Sequence, residues 1–513
     1  MTDSERAVMA NITLALLMPA ERVCRWQEEL AAQIAMLSGI DVDVLPVVYT
    51  PRDDSQWSAL ATSTAALAET RPASTKPSAK NTGWDVVLDL AGVDPAGWHG
   101  RSVHGVWQLL DAQGVALAGI FPAYEAISAG NGAELFLVRD GDAVLNTIRF
   151  FGDPRYKDAF ARLYTYASIL VCGPLQELVA TGERPVVAKF QPLPSLMRWQ
   201  RRGCQLRQQW TLLRRRIASQ FLSESWMIGV IDAPIKDLLS KPLPWDVKWL
   251  GPRDRNYYRA DPFGVPGRDD RFYCEVFDYR EGRGSLEMIE LDDAGQIARV
   301  EPAQLSLSGH QSYPYLFEHA GRTYGIPETA GRNCCELFEL TEDGRWLRIA
   351  TLLHDVAAID ASLFVWEGRF WLAYTDGALG AYNNLCLIYA SDLAGPWQRH
   401  AQYPVKMDHR SSRSAGTPFM HGGALYRPAQ DCGSGYGQAV VINRITQCTP
   451  TTFHEEVVRV CSPDPRGRNP DGLHTLSAWG ARTLVDGKKY IFSPAELARK
   501  LRGRIARVSK AHA

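Results

Sequence analysis

The chain has almost no net charge: 56 Lys and Arg stand against 57 Asp and Glu, a formal −1 over 513 residues. No overall field draws it to nucleic acid, so a nucleic-acid partner is not expected. Long apolar runs are missing too, and nothing approaches the roughly 20 residues of a membrane-spanning helix. The opening stretch MTDSERAVMANITLALLMPAERV has a short apolar run behind acidic residues and no basic segment, so it does not read as a secretory signal. Cysteine is sparse, with ten residues, no Cys-x-x-Cys spacing, and Cys334 and Cys335 side by side. A disulfide framework and a structural zinc site are therefore not expected, and reduced thiols in a cytoplasmic protein are. No Gly-x-Gly-x-x-Gly turn follows the first apolar strand, which argues against dinucleotide binding. What remains is ordinary for a globular protein, 46% hydrophobic and 22% charged. The length exceeds what one core holds, so two or more domains are expected.

The first half opens as β-α-β. Ile12–Met18 is an apolar strand, Pro19-Ala20-Glu21 starts a helix running to about Leu37, and Val42–Tyr49 is a second strand. A tract rich in Ala, Ser, Thr and Pro follows from Ser55 to Thr82 and reads as a helix fragment with a flexible loop. Trp84–Leu90 is a third buried strand and Tyr156–Leu178 a long helix. Asp41-Val42-Asp43 falls where a strand begins and does not read as a metal site. Further on, Leu196, Trp199, Leu206, Trp210, Leu213 and Ile217 recur at helical steps among seven arginines. This basic amphipathic helix is expected to join the two halves. The tail from Pro494 repeats the theme, with Leu497, Leu501, Ile505 and Val508 on one side and Arg499, Lys500, Arg502, Arg504, Arg507 and Lys510 nearby. Two such segments raise contact with an anionic membrane surface as an expectation.

The second half is repetitive. RADPFGVPGRDDRFYCEVFDY begins at Arg259 and HQSYPYLFEHAGRTYGIPET at His310. IDASLFVWEGRFWLAYTD begins at Ile359, SAGTPFMHGGALYRPAQDC at Ser414 and GLHTLSAWGARTLVDGKKYIF at Gly472. Each pairs a polar anchor with two strands around a Gly turn, at a spacing of roughly 50 residues, the range of propeller arrays. Third strands follow (SLEMIELD, CELFELT, LCLIYASD, AVVINRIT), and fourth strands such as WLRIATLL, WQRHAQYPV and FHEEVVRV. The last unit is truncated, and WMIGVID at Trp226–Asp232 stands alone before the first. The expected architecture is a five-bladed β-propeller closed by that isolated strand, behind an α/β N-terminal domain.

In a propeller the innermost strands start at the central channel. That places Asp261, His310, Tyr313, Asp360, Thr417 and His474 toward the axis, with Glu275, Glu328, Asp376, Arg427, Gln430 and Asp431 at the ends of the second strands. Apolar blades have no need of acids and histidines repeated in register. Burying them unpaired is costly, so a ligand site is expected there. Arg427 is placed to hold a carboxylate or phosphate through both arms of its fork. Tyr258, Tyr313, Tyr315, Trp371 and Tyr382 offer faces for sugar rings.

At these residues the chain resembles a family. RADPF, SYPYLFEHAGRTYGIPE, DASLFVWEGRFWLAYT, LYRPAQDCGSGYGQAVVINRIT and GLHTL resemble the N-terminal domain of glucosamine inositolphosphorylceramide transferases, over residues 226 to 493. More distantly the layout is similar to five-bladed arabinanase and β-xylosidase-type glycosidases. The resemblance implies Asp261 as base, Asp360 as the orienting acid and Glu328 as general acid. The axis positions make His310, Tyr313, Glu275, Asp376, Arg427, Gln430, Asp431 and His474 the expected substrate contacts, and no metal and no cofactor are expected. LFLVRDGDAVLNTIRFFGDPRYKDAFARLYTYASILV loosely resembles formyltransferase-like domains. That family's Asn, His and Asp pattern is not visible here, so a degenerate, structural domain is expected.

The expected organisation is thus an α/β domain over 1–190, a linker helix over 191–225, a propeller over 226–493 and a tail helix over 494–513. The expected function is glycosyl transfer or glycoside cleavage on a carbohydrate or glycolipid, in surface polysaccharide or glycolipid synthesis, at the inner face of a membrane. A glycan-binding scaffold and formyl or acyl transfer by the first domain stand as alternatives.

Overall fold

The computed structural model describes residues 11–20, 23, 25–47, 83–117, 133–150, 156–194, 220–305, 307–433 and 435–511. The linker helix and the Ser55–Thr82 tract expected from the sequence lie outside them. The chain divides into two compact units, residues 1–209 with 401–403, and 210–400 with 404–513.

In the first unit, β1 (Ile12–Pro19), α1 (Arg25–Ala35) and β2 (Ile40–Val47) form the β-α-β opening, with β1 and β2 parallel. Parallel strands β3 (Val86–Asp89) and β4 (Val106–Asp111) extend the sheet from the other edge of β1. Antiparallel β5 (Ala133–Arg139) and β6 (Ala143–Phe150) complete it. Leu14, Leu16, Val86, Leu88 and Val106 are fully buried, as expected of continuous apolar strands covered on both faces. A second Asp-x-Asp, Asp140-Gly141-Asp142, is the β5–β6 hairpin turn. Asp140 takes φ 52° and accepts the Val106 N–H at 2.9 Å. Helix α2 (Tyr156–Thr181) packs on β6, and β7 (Ala188–Lys189) pairs with it.

The second unit starts with β8 (Leu222–Ile231) and β9 (Lys248–Trp249). Antiparallel meanders follow. The first is β10 (Tyr257–Gly264), β11 (Arg271–Asp278), β12 (Arg283–Leu291) and β13 (Ile297–Pro302). The second is β14 (Ser312–His319), β15 (Arg322–Glu328), β16 (Cys334–Leu340) and β17 (Trp346–His354). Then come β18 (Ala358–Trp366), β19 (Arg369–Asp376) and β20 (Asn384–Ala390), which carries short β21 (Gln398–Arg399) and β22 (Lys406–Asp408). The fourth strand expected at WQRHAQYPV is thus reduced to two fragments. The next meander is β23 (Phe419–His421), β24 (Ala424–Asp431), β25 (Ala439–Cys448) and β26 (Phe453–Cys461). Its first strand is short because Pro418 lacks an N–H and Gly416 takes φ 122°. Last are β27 (Leu476–Trp479) and β28 (Arg482–Phe492). The isolated strand of the sequence reading, β8, pairs with β28 in ten consecutive register positions, and β9 flanks it.

The sheets pack in chain order in a propeller-like arrangement. β10 lies against β14, and β14 against β18. Phe364, Trp371, Leu425 and Ile445 share a core, as do Val440, Ile442, Leu476 and Val485. A further core joins Ile228, Leu484 and Trp479 of the last sheet to Phe272 and Ile289 of the first. Helix α3 (Pro494–Ala511) follows β28 and starts as its sequence dictates. Ser493 caps it, its Oγ accepting the Glu496 N–H at 3.2 Å, and proline occupies the first turn. No helix among the described residues is long and apolar enough to cross a membrane.

Trp479 is the keystone between last and first sheets. Its ring meets Phe272 edge-on at 5.7 Å, and its Nε1–H donates to the Arg268 carbonyl at 2.7 Å. A Cβ on Gly264 would fall 2.1 Å from its Cδ1, so only glycine fits beneath it. Trp479→Ala is expected to cost about 3–5 kcal/mol, read as a lower urea midpoint for the second unit. An unchanged midpoint would contradict this packing.

Candidate active site

The site begins with a backbone irregularity repeated three times. The β10–β11 register breaks between Ala260 and Phe263, β14–β15 between Ser312 and Tyr315, and β18–β19 between Ile359 and Ser362. Inside each break one side-chain-bearing residue takes a left-handed φ: Asp261 at 50°, Tyr313 at 41° and Asp360 at 47°. Such a conformation costs on the order of 1–3 kcal/mol for a non-glycine residue. Two of the bulges turn a backbone N–H out of their own ladder. The Asp261 N–H donates to Asp486 Oδ2 at 3.0 Å, and the Asp360 N–H to Glu328 Oε2 at 3.0 Å. Both acceptors sit on the second strand of the preceding sheet, so these two bulges are held by their neighbours.

Around Asp261 the groups form a relay. Asp486 accepts the N–H groups of His474 and Thr475 at 3.1 and 3.0 Å, and His474 Nδ1 lies 2.6 Å from its Oδ2. Thr475 Oγ1 donates to Asp261 Oδ1 at 2.8 Å, and His474 Nε2 faces that same oxygen at 3.6 Å. The imidazole is stacked on Trp226 at 3.8 Å. Burial pulls the imidazole down, but Asp486 and Asp261 outweigh it and raise its pKa above the ordinary imidazole value. Burial pushes Asp261 up from 3.8 to about 6, against the pull of His474.

Around Asp360 the groups form an ion pair. Arg413 Nε donates to its Oδ2 at 2.5 Å and Gln430 Nε2 to the same oxygen at 2.8 Å. The Arg413 guanidinium lies 5.0 Å from the Tyr436 ring and 5.6 Å from the Tyr382 ring, as a cation over two π faces. Burial and the adjacent Asp360 hold Glu328 well above the usual carboxylate range. Glu275 is raised by burial and by Asp261, Glu328, Asp360 and Asp486 in turn. The acids of four sheets therefore act on one another. Tyr313 lies among them fully buried, its hydroxyl 2.9 Å from Ser362 Oγ and accepting the Gly416 N–H at 2.7 Å. His310 accepts the Gly284 N–H at 2.7 Å and places Nε2 3.7 Å from Glu275, with its side chain 44% exposed.

Other expected site residues are engaged elsewhere. Arg427 does hold a carboxylate with both arms of its fork, but it belongs to Glu455. Nε and Nη2 donate to it at 3.0 and 2.6 Å, and the Ser411 and Ser412 carbonyls take Nη2 and Nη1. With Lys406 Nζ 2.8 Å from the same Glu455, this is a buried structural pair. Asp376 accepts the Ala378 N–H and Asp431 the Gly433 N–H, each at a turn beside its own strand. Thr417 accepts the Ala478 N–H. Of the aromatic faces, Tyr315 and Trp371 are buried in the sheets, while Tyr382 remains 41% exposed. Reasoning from sequence missed Asp486 and Arg413. The DGKKY phrase of the last unit marked Asp486, at the strand position Glu275 and Glu328 occupy in theirs. Arg413 precedes its repeat phrase and carried no such signal.

Asp261, His474 and Asp486 also offer metal-ligand atoms within 4.8 Å of one another. Asp486 already spends its four acceptor positions on three backbone N–H groups and the imidazole, so a cation would have to displace one of them.

The arrangement is that of sheet-borne acids acting on one another, two pushed well above the usual carboxylate range and one tied to arginine. Comparison with known proteins gives it a context. Residues 260–476 match the family described as Glucosamine inositolphosphorylceramide transferase 1, N-terminal. Over 217 residues the chain is 28% identical to that transferase from Oryza sativa subsp. indica, covering 41% of this chain and 29% of the relative. The Arabidopsis thaliana protein is 27% identical over 275 residues, covering 48% and 35%. The chain thus spans about a third of the length of these relatives. Similar solved structures include a family 117 glycoside hydrolase of Zobellia galactanivorans, 15% identical over 44% of this chain and 74% of that one, TM-score 0.32. The catalytic domain of a Coprinopsis cinerea GH62 α-L-arabinofuranosidase is 12% identical over 50% and 80%, also at 0.32.

Two predictions come from these contacts. Arg427→Met leaves buried Glu455 with Lys406 as its one counter-charge among the described residues and is expected to cost about 3 kcal/mol, partly restored by adding Glu455→Gln. Equal melting temperatures for the single and double variants would contradict the pairing. Asp261, raised when folded, contributes stability that is full below its ordinary 3.8 and lost as pH rises through about 6. Asp261→Asn, whose side chain tolerates left-handed φ, should therefore gain in Tm relative to wild type between about pH 4 and 7. Parallel Tm curves would show that Asp261 titrates normally.

Proposed function

We propose that the second unit is a five-bladed β-propeller whose axis binds a glycan or glycolipid and carries out acid–base chemistry at a glycosidic bond. One observation carries this reading. Neighbouring acids differ in their surroundings, Glu328 pushed well above the usual carboxylate range by burial and the adjacent Asp360, Asp360 bound by Arg413 and Gln430. Cleavage or transfer at an anomeric carbon needs that asymmetry, a proton donor for the leaving oxygen and a separate anion facing the reacting centre. In this reading Glu328 is the acid and Asp261 the base, its raised pKa bringing it near neutrality. Asp360, anchored by Arg413, orients Glu328. Glu275, His310 and the Tyr382–Tyr436 pair line the approach. The similarity of residues 260–476 to glucosamine inositolphosphorylceramide transferases supports a sugar-bearing substrate.

The proposed setting is glycolipid or surface polysaccharide synthesis at a membrane face. Helix α3 supports contact with anionic lipid only in part. Glu496 takes Arg499 at 2.7 Å and Lys500 at 3.6 Å, so two of the helix's basic residues are already paired. The first unit is proposed as a structural partner.

A panel of nitrophenyl glycosides, nucleotide sugars and glycolipid headgroups, screened for binding and turnover, tests the reading. Glu328→Gln and Asp261→Asn are expected to lower turnover by about 10² or more while binding changes only a few-fold. A glycan that binds wild type with no turnover, and binds both variants alike, would replace catalysis with a glycan-binding scaffold.

A further inference from the structure

Glu275, on β11, stands apart from the other acids of the site. Asp261, Asp360, Glu328 and Asp486 each spend carboxyl oxygens on hydrogen bonds. Glu275 spends none: its side chain is only 8% exposed, and neither oxygen has a hydrogen-bond partner among the described residues. Neither oxygen is sealed in, as the unpartnered Ser414 Oγ is. Asp261, Glu328, Asp360 and Asp486 all act on Glu275, so it shares their space. His310 Nε2 approaches Glu275 Oε1 to 3.7 Å, beyond hydrogen-bonding distance.

His310 is fixed as a donor beside that acid. The Gly284 N–H donates to Nδ1 at 2.7 Å. A backbone N–H cannot accept, so Nδ1 is the acceptor of the ring, and the neutral imidazole carries its proton on Nε2. The Gln311 N–H donates to the Gly284 carbonyl at 3.0 Å, so both backbone groups of Gly284 hold the segment that bears the imidazole. Desolvation lowers the His310 pKa, and a proton on Nδ1 would turn it against the Gly284 N–H, so the neutral ring is favoured. Glycine at this position is what lets the two groups meet. A Cβ on Gly284 would fall 2.2 Å from Glu275 Oε1 and 2.7 Å from His310 Cε1.

The pair thus presents a fixed N–H next to a carboxyl that no protein group satisfies, with the imidazole 44% exposed. A buried carboxyl without partners destabilises the fold and calls for an explanation. The chemistry of the pair is selective. An ether or carbonyl oxygen accepts from the imidazole but has no proton for the carboxylate. An ammonium donates to the carboxylate but cannot accept from the imidazole. A hydroxyl does both. We infer that His310 and Glu275 form a specificity clamp for one sugar hydroxyl, which accepts from His310 Nε2 and donates to Glu275. The clamp rests on the glycan reading of the axis and deepens it. It assigns these two side chains to the choice of substrate and leaves proton transfer to Glu328 and Asp261.

Methyl glycosides of the gluco, galacto, manno, xylo and arabino series, screened against the full chain by saturation-transfer NMR, supply the probe. The monodeoxy forms of the glycoside that binds then test the clamp. Wild type is expected to lose about tenfold in affinity for one monodeoxy form and little for the rest. His310→Asn removes Nε2 while its Oδ1 replaces Nδ1 as the acceptor, and Glu275→Met removes the carboxyl at similar length. Each variant should bind the parent glycoside about tenfold more weakly and no longer distinguish it from that deoxy form. Glu275→Met should also melt higher than wild type, because an unpaired buried acid is gone. Long-range proton–nitrogen spectra of the free protein should show His310 with its proton on Nε2. Discrimination retained in both variants, an equal loss for every deoxy form, or a His310 proton on Nδ1 overturns the clamp and leaves the axial reading in place. So does a Glu275→Met that melts lower and binds as wild type, the mark of a structural acid. No binding by any glycoside overturns the clamp and the axial reading together.

Discussion

The second unit depends on a handover of hydrogen bonds between sheets at its centre. A bulge frees a backbone N–H on an innermost strand, and a carboxylate from the preceding sheet takes it. Asp486 is the fullest case, its two oxygens holding Asp261, His474 and Thr475 by their backbones and His474 by its ring. Lose that carboxylate and a bulge opens, an imidazole loses its orientation, and the seam between last and first sheets loses its innermost bond. Asp360 and Glu328 repeat the contact between the second sheet and the third. Strain is thereby stored where the acids meet, and paired groups elsewhere in the sheets compensate for it.

The same constraint sets the chemistry. Carboxylates brought together to hold backbone N–H groups cannot all stay charged in a buried space. Glu275 and Glu328 respond with pKa values pushed well above the usual carboxylate range, Asp261 with one raised to about 6, and Asp360 by taking Arg413. A spread of proton affinities is therefore a by-product of architecture. Acid–base catalysis needs little more than a substrate that reaches it. Glu328 is partly exposed while Asp261 and Asp360 are buried.

Much of this was legible in the sequence because repetition is visible without coordinates. The repeated phrases mark strands of successive sheets, the alternation of strands and Gly turns marks the meanders, and three anchor positions, Asp261, Tyr313 and Asp360, fall at the bulges. The isolated strand Trp226–Asp232 was placed on the last unit because that unit lacked one, and β8 does pair with β28. What the sequence hid was partnership. Arg427 looked free to grip a ligand because Glu455, 28 residues on, gave no sign of facing it. Asp376 stood one residue beyond the position where Glu275 and Glu328 point inward, and a one-residue step along a strand changes the face. Arg413 lies on an irregular stretch, where no period announces direction.

A neutron crystal structure at about pH 7 tests the central claim most directly, because it sees the protons themselves. Deuterium should appear on both ring nitrogens of His474 and on the Glu328 carboxyl, with the Asp261 and Asp360 amides bonded to Asp486 and Glu328. A neutral His474 beside a bare Glu328, or amides turned away from those carboxylates, would contradict the account.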